Sequence, residues 1–510
     1  MRTTELAGFA HRGLSATAST TLPGKTASIT AKSPTDRPGS NGRVESDART
    51  NGRALPRRLG AWSTAAAMVG LMIGSGIFVV PALVAANVGS VTGIVAVWTL
   101  GGLLALCGAL TFAELGAMFP TAGGLYVFLR ESYGPLPAFL YGWTNLLLLR
   151  PASTGAMALI FAAYASHIFS LDTSQQRWLA GGVIAVVTLF NYRSVVLAAG
   201  VENVMSTVKV LSLVGIAVVA LILGNRADGA LAPASAPALT HLGGFALAVV
   251  TVMWTYSGWA SVTKIAGEVR DPGRNLPRAM IYGVVTVIVA YLAINAAYLY
   301  LLPLDELAAS SAVAADAVSR ILGSSGAVAV AGVVMVSTFG AILASTMFGP
   351  RTYYAMAQDG FLFGRAGKLH PRYDTPHVAT LLAAVLGITY VSFQTFEQLA
   401  GLFVLGTWPF HIAAVLAVFV LRRKRPELER PYRTWGYPVV PATFLVVSIA
   451  MLVSVFLKKP GLAAASVGIL LLGIGWYFVV VHARFGMMSR PPNLARALAR
   501  GAHGLDVAGD

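Results

Sequence analysis

Apolar residues in this chain fall in long runs separated by short polar stretches marked by glycine and proline. A helix that crosses a bilayer needs about 20 mostly apolar residues. Twelve runs read as such spans: 61–85, 92–118, 135–166, 178–192, 197–223, 242–262, 279–302, 327–357, 377–395, 398–421, 438–457 and 461–482, the fourth being the shortest. None shows the short period-two alternation of an outer-membrane barrel. The pattern predicts an all-α polytopic membrane protein with twelve transmembrane helices.

Two spans are weakened at their centres. The first holds Met72-Ile73-Gly74-Ser75-Gly76-Ile77-Phe78 and the sixth holds Tyr256-Ser257-Gly258-Trp259. Each glycine in a helix interior costs roughly 1 kcal/mol relative to alanine. Backbone freed at membrane depth is tolerated only where it faces protein or a water-filled cavity. Interruptions at matching places in two halves of a polytopic chain point to a transporter's substrate site. The reading is a 5+5 inverted repeat with broken helices 1 and 6. Spans one to five (61–224) form one repeat and spans six to ten (242–421) the other, and the odd number of spans per repeat forces the inversion. Spans eleven and twelve (438–482) are accessory.

Charge sets the orientation. Residues 1–60 carry ten Lys/Arg against four Asp/Glu and read as a disordered basic cytoplasmic tail; residues 483–510 form a second cytoplasmic tail. The first segment has no apolar core of its own, so it is not a cleaved leader. With the N-terminus inside, thirty of the 37 Lys/Arg lie on the cytoplasmic side, five lie outside, and Arg150 and Lys209 lie within the membrane. That asymmetry places both termini in the cytoplasm of a multi-pass cell (inner or plasma) membrane protein. It also accounts for the net charge of +16 without nucleic acid. The single cysteine, Cys107, excludes an internal disulfide and a cysteine-pair zinc site. No HExxH, CxxC or phosphate-cradling loop appears, so no metal, no cofactor and no enzyme activity is expected.

The broken spans supply the candidate chemistry. Gly74, Ser75 and Gly76 free backbone N–H donors that suit a carboxylate. Carbonyls near Met72 suit an ammonium, and span six offers the same pair of ends near Trp254, Ser257 and Gly258. An α-amino acid fits both. Small residues also serve close helix packing, but their pairing in two spans favours a site. Lys209 lies about twelve residues, or about 18 Å, into span five, beyond easy reach of the surface. It is either a titrating coupling residue or a fixed cation on carbonyls of the broken helix. Arg150, which keeps its proton, reads as an anchor, Glu114 as a gate or packing residue, and His411 as a satisfied core histidine. Trp254, Trp259 and Trp408 stand near the proposed cavity.

At these residues the chain resembles the amino acid–polyamine–organocation (APC) superfamily, and within it the L-type amino-acid exchanger family and its bacterial relatives. The markers are Gly74-Ser75-Gly76-Ile77-Phe78, Phe119-Pro120-Thr121-Ala122-Gly123-Gly124 with Tyr126 and Leu129-Arg130-Glu131, Arg150-Pro151, Lys209, Tyr256-Ser257-Gly258-Trp259 with Glu268, Pro350-Arg351 with Asp359-Gly360, and Arg425 to Pro431. The resemblance implies that backbone at Ser75 and Gly76 binds the substrate carboxylate. It implies that carbonyls of Met72, Trp254 and Ser257 meet the ammonium, that Trp254 is an aromatic gate and that Trp408 sits by the side-chain pocket. It also implies that Lys209, bridging towards Ser337 and Thr338, stands in for a sodium ion. Ser257 departs from the glycine or aspartate of many relatives. Residues 167–177 lack the cysteine that animal members use for a glycoprotein partner, so no disulfide-linked subunit is expected.

The function these features imply is sodium-independent transport of small-molecule amino acids, neutral ones being the expected substrates, by alternating access as permease or exchanger. The alternative is proton-coupled uptake of cationic amino acids or polyamines. An ion channel would need a lining ring of charges or carbonyls, and a membrane enzyme would need catalytic groups that are missing.

Overall fold

The computed structural model describes residues 57, 59–121, 123–193, 195–225, 242–358, 361 and 377–482. The two expected tails lie almost wholly outside these residues, as do Ala122 and Asp359-Gly360. The chain opens with α1 (Ala61–Met72), a four-residue 3-10 turn (Ser75–Phe78) and α2 (Val80–Val88). Next come α3 (Val91–Met118) and α4 (Leu125–Tyr133). α5 (Pro135–Thr144) runs through a π-helical turn, Asn145–Leu149, into α6 (Arg150–Phe169). Then follow α7 (Thr173–Arg193), α8 (Val195–Leu223) and α9 (Leu242–Thr255), which gives way to a 3-10 segment, Trp259–Glu268. The remainder is α10 (Pro272–Leu301), α11 (Leu304–Ala309), α12 (Val313–Gln358), α13 (His377–Phe393), α14 (Phe396–Lys424), α15 (Val439–Lys458) and α16 (Pro460–Trp476), which ends in a π-helical turn. Among the described residues strand-like pairing is confined to one parallel bridge, Leu59 with Val269. Eight helical stretches are long and apolar enough to cross a membrane, and Ala61–Met72, Lys209–Leu223 and His377–Phe393 are shorter apolar helices.

Local chemistry explains the helix ends. Ser90 caps α3 by accepting from the Gly93 N–H at 3.1 Å. Thr395 and Gln398 form a reciprocal capping box at the start of α14, and Arg422, Arg423 and Lys424 close that helix where its dipole is negative. α10 begins at Pro272 rather than at 279, because proline at the first helical positions lacks only an N–H that would be unbonded anyway, and the polar turns Gly273–Arg278 then extend the helix beyond its apolar part. α12 likewise begins before the expected 327 and is interrupted at Gly323, whose φ of 66° and ψ of −163° are non-helical. α4 and α11 are too short and too mixed in polarity to register as apolar runs.

α3 packs along α10, α6 along α12, and α7 along α13. α12 also lies against α8, and α14 against α6; α1 lies against α10, and α3 against α9. These helices surround the ends of α1 and α9, so the two interrupted segments sit in the middle of the bundle.

Candidate functional site

α1 stops because its chain turns sharply at Ile73, whose φ of −70° and ψ of 85° form an inverse γ-turn closed by the Gly74 N–H on the Met72 carbonyl at 2.7 Å. Ser75 and Gly76 then open the 3-10 turn, where first-turn N–H groups have no partner within the helix. α9 stops at Thr255. The Ser257 N–H bonds the Trp254 carbonyl at 3.1 Å, and Gly258 adopts φ 121°, a left-handed conformation that disfavours any side chain.

The two turns touch. A Cβ placed on Gly258 would lie 2.8 Å from the Leu71 carbonyl oxygen, and one on Gly76 would lie 2.7 Å from the Trp254 ring. Between them lies a cavity of about 700 Å³. Met72, Gly74, Ser75, Gly76, Trp254, Ser257, Gly258 and Lys209 all line it. The Ser75 hydroxyl is buried and has no hydrogen-bond partner among the described residues. A buried unpartnered hydroxyl is costly in a folded protein and marks a place where a polar ligand group would be welcomed.

Three expectations change. Trp408 does not line the cavity: its indole N–H donates to Ser448 Oγ at 3.2 Å, which turns the ring towards α15, and Phe403 of the same helix faces the cavity instead. The Met72 carbonyl, expected to be open to an ammonium, already accepts from Gly74 and from the Tyr291 hydroxyl at 2.8 Å. Lys209 donates to the Gly70 carbonyl of α1 at 3.4 Å, but among the described residues the hydroxyls of Ser337 and Thr338 on α12 have no hydrogen-bond partner, so Lys209 does not bond these two hydroxyls.

The remaining residues sort by contact. Arg150 donates from Nη1 to both the backbone and hydroxyl oxygens of Ser345 at 3.2 Å, tying α6 to α12 at the cavity wall. Glu114 is fully bonded: it accepts from Arg422 at 2.9 and 2.7 Å and from the N–H and hydroxyl of Thr434 at 2.7 Å each. His411 is buried among Phe112, Trp259 and Trp408, with Nδ1 unpartnered among the described residues, so it is a core residue but not a satisfied one. Two contributors escaped sequence reasoning. Tyr291, on α10, bonds the ends of α1 and α9, and Lys264 lines the cavity from a segment read as a polar loop. A polar residue three positions after Ser261, itself three after Gly258, was the available signal. Among the described residues no group of three or more His, Cys, Asp and Glu could hold a metal ion.

Apolar helices long enough to cross a bilayer, packed around a cavity, define a multi-pass membrane protein. The chain belongs to the amino acid permease family, whose model matches residues 59–480. It is 31% identical over 445 residues to the mouse b(0,+)-type amino acid transporter 1, covering 86% of this chain and 90% of that one. It is 28% identical over 434 residues to the serine/threonine exchanger SteT of Bacillus subtilis (strain 168), covering 84% and 98%. It is 28% identical over 421 residues to the human cystine/glutamate transporter, covering 81% and 83%. The family and these relatives are transporters rather than enzymes, and amino acid transport is the general function of the chain.

Proposed function

We propose that this chain is a sodium-independent exchanger of neutral amino acids that works by alternating access. The observation that carries the reading is the meeting of both helix interruptions, the orphaned Ser75 hydroxyl and Lys209 around one cavity. A substrate carboxylate takes the Ser75 and Gly76 N–H groups. Its ammonium takes the carbonyls of Trp254 and Ser257, while that of Met72 is held by Gly74 and Tyr291. Trp254 covers the site as a gate. Lys209, held to Gly70, occupies the place of a coupling cation.

The frame is twelve spans with broken spans one (α1–α2) and six (α9 and its 3-10 segment), in two inverted five-span repeats, 61–224 and 242–421, with α15 and α16 accessory. Packing supports the repeat. Exchanging each helix for its counterpart converts the α8–α12 contact into α14–α6, α1–α10 into α9–α3, and α6–α7 into α12–α13. The short helices α4 and α11 fall in equivalent connections. The basic tails and loops support cytoplasmic termini in the cell membrane. The connection between α6 and α7 holds no cysteine, and Cys107 lies within α3, so no disulfide-linked subunit is proposed.

Uptake into proteoliposomes preloaded with amino acid tests the reading. Saturable, trans-stimulated uptake of leucine, serine or alanine is expected. Arginine or glutamate outcompeting these three would overturn it.

A further inference from the structure

Exposed residues of α10 form one lengthwise stripe. Arg274, Arg278, Tyr282, Val285 and Val289 follow one another at intervals of four, four, three and four, and all are exposed. In a helix that spans a bilayer, the apolar part of such a stripe meets lipid tails. Trp62 of α1 stacks on Tyr282, with ring centroids 5.7 Å apart, and both rings are exposed. Exposed Trp and Tyr at one level mark a membrane–water boundary. Arg278 and Arg274 therefore stand one and two turns beyond that boundary, at headgroup depth.

A groove of about 800 Å³ opens beside them, between the end of α3 and the start of α10. Arg274 and Arg278 line it from α10, and Arg57 lines it from the chain ahead of α1. Arg57 is distant in sequence but is brought there by the bridge between Leu59 and Val269. The Leu59 N–H donates to the Glu268 carbonyl at 3.0 Å, and the Arg270 N–H donates to the Leu59 carbonyl at 2.8 Å. Asp271 and Glu429 line the same groove, and among the described residues neither forms an ion pair with the three arginines. Three cations against two carboxylates leave one net positive charge. Met118, Pro120 and Ile281 supply apolar wall.

We infer that this groove binds the headgroup of an anionic phospholipid. A phosphodiester carries one negative charge, and its oxygens suit the planar guanidinium donors. The headgroup hydroxyls of a lipid such as phosphatidylglycerol donate to Asp271 and Glu429, and its acyl chains run along Tyr282, Val285 and Val289. Membrane orientation needs only that basic residues lie on one side. It does not require arginines from two parts of the chain to converge on one groove. The occupant is a lipid rather than a soluble phosphate because the groove continues into the lipid-facing stripe of the same helix.

Thermal unfolding of the purified full chain in detergent tests this, with phosphatidylglycerol, phosphatidylethanolamine or glycerol phosphate added in turn. Phosphatidylglycerol should raise the unfolding temperature saturably. Phosphatidylethanolamine, whose ammonium cancels the charge, and glycerol phosphate, which lacks acyl chains, should act only at much higher concentration. Arg274→Gln combined with Arg278→Gln should weaken the phosphatidylglycerol response by about tenfold or more. Arg274→Lys with Arg278→Lys should keep most of it. Arg423→Gln with Lys424→Gln, exposed positions at the end of α14 outside the groove, should leave it unchanged. Native mass spectrometry of retained lipid gives the same comparison for any variant whose unfolding is not cooperative. Equal responses to phosphatidylglycerol and phosphatidylethanolamine would overturn the inference, and so would an equal response to glycerol phosphate, which would mark a soluble-anion site. A glutamine pair at 274 and 278 that behaves like the wild type, or no differently from the pair at 423 and 424, would also overturn it.

Discussion

The hydroxyl of Tyr291 donates to the carbonyl oxygen of Met72 across 2.8 Å, and it lies 3.2 Å from the carbonyl oxygen of Thr255. One phenol of α10 therefore holds the last residues of both α1 and α9. Its ring is wedged against Trp98 and Tyr256, with centroids 5.5 and 5.0 Å away, so the hydroxyl has little freedom to leave. The spacing of the two helix ends, and hence of the proposed ammonium and carboxylate sites, is set from outside either end.

Tyr291→Phe keeps the ring and removes the donor. The Met72 carbonyl keeps the Gly74 N–H, but it and the Thr255 carbonyl each lose the phenol, at about 1–3 kcal/mol in all. Part of that cost should appear as lost substrate binding, with affinity falling about tenfold, and part as a lower unfolding temperature. Leucine counterflow and thermal unfolding of the purified variant read the two effects. Wild-type affinity in the variant would show that the helix ends keep their spacing without the phenol.

The two glycines of the first turn should behave differently. A Cβ on Gly76 would lie 2.7 Å from the Trp254 ring and 2.8 Å from Thr255 Oγ1, whereas one on Gly74 meets nothing nearer than the Met72 oxygen at 3.9 Å. Gly76→Ala should abolish substrate binding, and Gly76→Val more firmly, since a branched side chain also restricts the backbone. Gly74→Ala should retain measurable transport. Equal losses at the two positions would mean that the turn, rather than the contact with Trp254, is what requires glycine.

Transport should continue with sodium replaced by choline, and Lys209→Ala should cripple it while the protein still folds. The ammonium spans from α8 to the Gly70 carbonyl. If it is a fixed cation, exchange is indifferent to a proton gradient; if it carries a proton, net uptake follows the gradient. Counterflow and net uptake at several pH values separate the two. Loss of activity in choline would refute the substitution of lysine for sodium.

Arg422→Ala should destabilise the protein more than Glu114→Gln. Glu114 is almost wholly buried and takes four short hydrogen bonds, two from Arg422 and two from Thr434. Removing Arg422 strips two hydrogen bonds and the nearer cation from a buried carboxylate and leaves it Arg430, at 3.8 Å, and Thr434, at a cost of about 1–3 kcal/mol, whereas glutamine is neutral and keeps one acceptor for Thr434. Thermal unfolding of both variants and of the double variant should give a marked coupling; additive effects would mean that the pair is not a functional unit.

What the chain determines by itself is the placement of its apolar runs and their weak points. Runs such as 92–118 and 398–421 become α3 and α14 with nearly unchanged limits, because hydrophobicity and capping are local properties. The turns at Gly74 and Gly258 are legible for the same reason, and so is the depth of Lys209. Tertiary structure alone decides which side chains reach those turns. Tyr291 is one tyrosine among several in α10, and only the approach of α1 and α9 makes it the one that bonds both. Trp408 lies on the expected helix but is drawn to Ser448, leaving Phe403 at the cavity. Lys264 reads as the start of a polar loop, because the apolar run ends before it. It becomes a cavity residue because the chain continues as a 3-10 segment packed against α3 and α10, and that segment's period of three aligns it with Gly258 and Ser261. Hydrophobic pattern is written residue by residue, but which polar groups face one another depends on helices distant in sequence crossing at a common point.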